Sequence, residues 1–123
     1  MNINYTDVLW SDSILKKIQI VYDKIEITIF NDMLKKEICI ECLQCVGMTD
    51  IIIWDEVIIE NILLEKVCNF QSPLIARVME MYGDKPFSSV KQITGEFYEL
   101  RVSLINGLFF NVICKNVNFK CDD

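Results

Sequence analysis

Histidine is absent from all 123 residues, and that one absence removes several chemistries together. Serine and cysteine nucleophiles lose the imidazole that usually activates them, and general bases poised near neutral pH lose their commonest side chain. The usual zinc sites lose a ligand. Glycine is scarce as well, with four residues and none in a G-x-G-x-x-G or G-K-[ST] arrangement, so no phosphate-cradling loop is spelled out. No apolar run reaches the roughly 18 residues of a membrane span. The opening residues Met1-Asn2-Ile3-Asn4-Tyr5-Thr6-Asp7 have neither the basic flank nor the apolar core of a signal peptide, and a cytosolic protein is expected. Basic residues are outnumbered 12 to 18, for a net charge of −6. They are also scattered, so neither nucleic acid nor an anionic membrane surface is an expected partner.

What is present is apolar residue in quantity, 52% of the chain. A chain of this length buries very roughly two-thirds of its unfolded surface, enough for one core. The expectation is one globular domain over residues 1–123 that folds without metal, cofactor or partner, with disorder confined to Cys121-Asp122-Asp123. Six cysteines form an even set, yet a reducing compartment favours free thiols that fill buried positions over disulfides.

The acid is concentrated in one place. Between Asp50 and Glu65 stand five carboxylates (Asp50, Asp55, Glu56, Glu60, Glu65), nine branched aliphatics and no Lys or Arg, while the remaining residues nearly balance. Such a segment suggests a surface shaped for a basic partner.

Period-two alternation runs through much of the chain. Leu15 to Tyr22 puts Ile18, Ile20 and Tyr22 on one face, and Lys24 to Phe30 does the same with Ile25, Ile27 and Ile29, so the two read as a hairpin joined through Asp23. Asn31-Asp32 marks a turn. Lys36 to Val46 alternates with Ile38, Ile40 and Cys42 on one side and Cys39, Glu41, Leu43 and Cys45 on the other, and reads as a central strand. Val57 to Val67 is β-branched and alternates imperfectly; strand is the better reading. Ser72-Pro73 opens a short helix over Leu74 to Tyr82, stopped at Gly83. Tyr98 to Leu104 alternates, Asn106-Gly107 predicts a two-residue type I′ turn, and the returning strand changes phase at Lys115-Asn116, which implies a bulge or bend. The fold class is α+β and mostly antiparallel β, a sandwich or half-barrel of six to seven strands with one short helix packed on the sheet.

Each candidate chemistry has a plainer reading beside it. Cys39-x-x-Cys42-x-x-Cys45 has metal-like spacing, but on a strand Cys42 faces away from the other two and the three cannot converge on one ion. Asp55 with Glu60, or Glu96 with Glu99, could be nominated as acid/base pairs, yet nothing supplies a sugar cleft, and Glu96 and Glu99 read as a solvated edge. Asp12 and Ser13 are placed to accept backbone hydrogen bonds at the entry to the first strand, with Leu9 and Trp10 anchoring that corner in the core. Trp54 fits both core burial and an interface anchor.

The pattern Trp10-x-Asp12-Ser13-x-Leu15 entering an alternating strand, then an I-x-I-x-I strand, the Trp54 to Ile59 segment W-D-E-x-I-I and a C-terminal hairpin, resembles small bacterial immunity proteins. These belong to polymorphic toxin and contact-dependent growth inhibition systems. The resemblance implies a cytosolic, non-enzymatic inhibitor that binds one cognate protein toxin domain, many such toxins being nucleases with basic clefts. An acidic segment would then steer association and fix orientation. The contact surface expected on this basis is Asp50, Asp55, Glu56, Glu60 and Glu65, with Trp54 as anchor. The other class is a non-catalytic scaffold that self-associates through an exposed strand edge.

Overall fold

A computed structural model describes residues 2–48, 57–68 and 96–121. Eight strands follow in chain order: β1 (Ile14–Val21), β2 (Lys24–Asn31), β3 (Lys36–Leu43), β4 (Gly47–Met48), β5 (Val57–Cys68), β6 (Glu96–Leu104), β7 (Phe109–Cys114) and β8 (Asn116–Cys121). All pairings are antiparallel, in the order β4-β7-β6-β5-β1-β2-β3-β8. The expected six to seven strands thus become eight, because Gly47–Met48 pairs as a strand of its own and the phase change at Lys115 divides the C-terminal strand. The helix expected over Leu74 to Tyr82 lies outside the described residues. Among those described, the only helical turn is a 3-10 turn at Tyr5–Asp7, capped by the Asn4 side chain.

Strands β7 and β8 stand near opposite ends of the strand order, yet Lys115 alone separates them. The sheet therefore curls back on itself. Its two ends meet where Val46 N donates to the Ile113 carbonyl (2.9 Å) and Lys115 N to the Leu43 carbonyl (3.1 Å). Inside the curl, Ile25, Ile27 and Ile29 of β2 and Ile38, Ile40 and Cys42 of β3 share one core with Leu100, Val102 and Leu104 of β6, Phe110 and Val112 of β7, and Phe119 of β8. Alternation assigned these faces correctly. Burying one such isoleucine contributes about 1.5–3 kcal/mol relative to exposure, so the paired Ile27 and Ile40 are among the positions where truncation costs most. Cys121, expected to be disordered, is buried and pairs with Ile38.

Strand β1 departs from its expected pattern. A register shift between Leu15 and Lys17 turns Leu15 inward against Ile29, and Ile18 and Ile20 then oppose Ile27 and Ile25. Ile20 and Tyr22 are nonetheless exposed, because β5 lies beside β1 only at Ile14 and Leu15 and no other described strand lies along that edge.

The N-terminal segment is fastened by polar contacts as well as by packing. Trp10 is buried against Phe119 and donates its indole N–H to the Tyr5 carbonyl (3.1 Å). Buried Asn31 donates to the Leu9 carbonyl and to Ser13 Oγ, both at 2.9 Å, and accepts from Leu34 N at 2.9 Å. Ser13 thus accepts from a side-chain amide where backbone donors were expected. Asp12 instead donates its own N–H to the Ile59 carbonyl, and Leu9 is exposed, not a core anchor.

The β6–β7 hairpin corrects the expected turn. Ser103 pairs with Phe109 and Leu104 N donates to the Leu108 carbonyl, which leaves three residues in the loop. Only Gly107 takes a positive φ, 89°, while Asn106 Oδ1 accepts from Leu108 N. This is a turn followed by a left-handed glycine, the usual three-residue hairpin loop.

Candidate protein-binding face

Strand β5 carries the described part of the acidic segment. Ile59 and Ile62 anchor it in the core, and a register shift between Ile59 and Asn61 makes Glu60 the extra residue of a bulge, exposed to solvent. Beyond the bulge Leu63 and Glu65 face outward, opposite Arg101 and Glu99 of β6. At about 3.3 Å per residue the Glu60 and Glu65 carboxylates mark a line of roughly 16 Å along the strand. Asp50, Trp54, Asp55 and Glu56, the other members of the expected contact surface, lie outside the described residues.

Glu65 and Glu99 are direct cross-strand partners of like charge, an arrangement that costs stability in a sheet. Among the described residues neither Glu60 nor Glu65 has an ion pair. Glu41 of β3 shows the contrast. Lys24 Nζ lies 3.1 Å from it and Lys120 Nζ 3.3 Å, and the Asn118 amide donates at 3.3 Å. Hydrogen bonding from Lys24 first, and from Asn118 next, holds the Glu41 carboxyl below its ordinary range. The hydrogen bonds to Glu26 and then Glu41 raise Lys24 in turn.

Beside the β5 acids is an apolar and cationic group. The Arg101 guanidinium carbon sits 4.4 Å from the centre of the Phe109 ring, and its Nε donates to Asn111 Oδ1 at 3.2 Å. Phe109 is 51% exposed and Leu63 40%, large apolar areas for an outward face. Toward the β7 side and the far end of β5 the same face is covered, for Val67, Phe97 and Ile113 are buried there, with Lys115 Nζ 4.0 Å above the Phe97 ring. Arg and large aromatics are residue types that protein-binding surfaces favour.

Sequence reasoning found Glu60 and Glu65 but missed Leu63, Glu99, Arg101 and Phe109. The available signal was parity. With Leu100, Val102 and Leu104 inward, Glu99 and Arg101 had to point outward, but their neighbours depended on a pairing between distant segments. Glu96 and Glu99 do not form an acid/base pair: alternation puts them on opposite faces of β6, and Glu96 is bound to Lys66 at 2.9 Å. Nor is Glu99 a solvated edge, since it sits half-buried on a strand flanked by β5 and β7.

The cysteine spacing also resolves differently. Strand β3 stops at Leu43 and Gln44 takes a φ of 55°, which swings Cys45 back until its Sγ lies 3.4 Å from the Cys42 carbonyl oxygen. Cys42 and Cys45 therefore do not diverge as strand geometry predicts. Among the described residues no group of His, Cys, Asp or Glu is arranged to hold a metal ion, and no helix is long and apolar enough to cross a membrane. No protein family, curated protein or solved structure matches the chain.

Proposed function

We propose that this chain is a non-catalytic inhibitor of the immunity class, which binds a cognate toxin domain through the outward face of β5, β6 and β7. The observation that carries the reading is the row of Glu60, Glu65 and Glu99 carboxylates, held on strands whose other faces are locked in the core. The acids steer encounter with a basic cleft, while Arg101 stacked on Phe109, with Leu63, supplies the desolvated centre.

The test is co-expression with the toxin domain encoded beside this chain, followed by co-purification and growth rescue. Rescue with a 1:1 complex is expected. Folded protein that neither co-purifies nor rescues would sink the reading. Within a complex, the paired change Glu60→Gln and Glu65→Gln slows association and flattens its dependence on salt, because exposed charges act mainly through long-range steering.

A second reading, self-association as a scaffold, draws on β1. Ile20 and Val21 are exposed, and no described strand lies on the β5 side of β1 from Lys17 to Val21. Sedimentation across a wide concentration range separates the two: a monomer supports inhibition, and concentration-dependent growth of the species supports the scaffold.

A further inference from the structure

We infer that Cys45 and Cys114 form an oxidisable dithiol, a reversible covalent latch across the seam where the two ends of the sheet meet. The backbone sets this up. The hydrogen bonds from Val46 N to the Ile113 carbonyl and from Lys115 N to the Leu43 carbonyl bracket Gln44 and Cys45 against Cys114. Two residues thus oppose one, a β-bulge, and no backbone hydrogen bond joins Cys45 to Cys114 directly. In a regular ladder a pair without direct hydrogen bonds sits about 4.5 Å apart at Cα, and a disulfide spans up to about 6.8 Å, which leaves room for the bulge.

The side chains follow the backbone. Cys114 is within side-chain hydrogen-bonding reach of both Cys45 and Cys42. Cys42 is the lesser candidate, because it is fully buried and pairs with Val117. Cys45 is only half-buried and borders a cavity of about 350 Å³ that Asp23, Gln44, Val46 and Lys115 also line, which gives a small reagent an approach to this residue. The three thiols are all reduced here. The neighbouring Cys114 sulfur and then burial hold the Cys45 thiol above its ordinary range, so exchange is slow and needs excess oxidant and time.

The oxidant class is a low-molecular-weight disulfide. Cys45 releases its proton to water and attacks one sulfur of the reagent. The reagent's S–S bond breaks, and one small thiolate leaves and takes up a proton. Cys114 then loses its proton and attacks Cys45 Sγ, expelling the second small thiol. Two cysteine thiols are oxidised by two electrons, and the reagent disulfide is reduced to two thiols.

The experiment incubates the folded full chain with excess oxidised glutathione, blocks remaining thiols under denaturing conditions, and maps the peptides by mass spectrometry. A Cys45–Cys114 cross-link with Cys39 left blocked is expected. Because the bridge closes a long loop across the seam, the thermal midpoint rises on the order of 10 °C. Dithiothreitol reverses the shift, and Cys45→Ser shows neither bridge nor shift. Blocked Cys45 and Cys114 after oxidation of the wild-type chain, or Cys114 bridged to Cys42, overturns the proposal without recourse to any variant.

Discussion

Asn31 offers the most direct test of how this fold holds its N-terminal segment. Its side chain is fully buried and makes three hydrogen bonds, donating to the Leu9 carbonyl and Ser13 Oγ and accepting from Leu34 N. Asn31→Ala removes all three. A typical hydrogen bond contributes about 1 kcal/mol net, and a buried group left without a partner costs about 1–3 kcal/mol. Leu9 and Leu34 lie partly exposed, and water recovers some of that loss, so the change should cost about 2–4 kcal/mol. For a chain of this size each kcal/mol lowers the melting midpoint by about 4 °C, hence a fall of roughly 8–16 °C. Ser13→Ala, which removes one acceptor, leaves one buried Asn31 N–H unpaired and keeps the Leu9 contact, should cost about 1–3 kcal/mol. Differential scanning calorimetry measures both. Trp10 emission reports the local consequence, because its ring lies on the segment that Asn31 tethers. A midpoint lowered by less than about 3 °C in Asn31→Ala, below what a single lost hydrogen bond predicts, would refute the claim that this amide fastens the segment.

The other expectations are narrower. Gly107→Ala should cost about 1–2 kcal/mol by chemical denaturation, all of it from backbone conformation, since φ is 89° and an added Cβ would meet nothing within 4 Å. Because the folded-state pKa of Glu41 is depressed, its network stabilises fully above the unfolded value near 4.3 and is lost as pH falls through the lower folded value. The stability gap between the wild-type chain and Glu41→Gln should therefore be present at neutral pH and close in acid. Lys24 runs the opposite way: its raised pKa stabilises below the unfolded value near 10.4 and loses effect as pH climbs through the folded one, which a Lys24→Met comparison in alkali would show. Phe109→Ala should change stability by only about 1 kcal/mol, the scale of an exposed cation–π contact, yet weaken binding to the proposed toxin domain at least tenfold. Equal binding by that variant would remove the Arg101–Phe109 stack from the proposed interface.

Much of this architecture was legible in the residues themselves, and the β6–β7 hairpin shows how far that extends. Leu100, Val102 and Leu104 are apolar on even positions, as are Phe110, Val112 and Cys114 on the returning strand. Residues directly opposite share a face, so two even-numbered sets can pair only across a loop of odd length. The three-residue loop was implied by parity even though Asn106-Gly107 by itself points to a two-residue turn. The phase change at Lys115 was likewise visible, because a flip of faces needs an extra residue wherever it occurs.

What the sequence determined by itself was local: which segments extend, which side chains each turns inward, and where acid accumulates, all of which depend on the period-two geometry of one chain. Only the tertiary structure decided which strands lie side by side, so that β5 touches β1 at two positions and β8 leaves β7 to pair with β3. It also decided that Glu65 faces Glu99 and that Cys45, turned back at Gln44, lies by Cys114. Those contacts join residues far apart in the chain. They follow from register and from the closure of the whole sheet, which no window of neighbouring residues encodes.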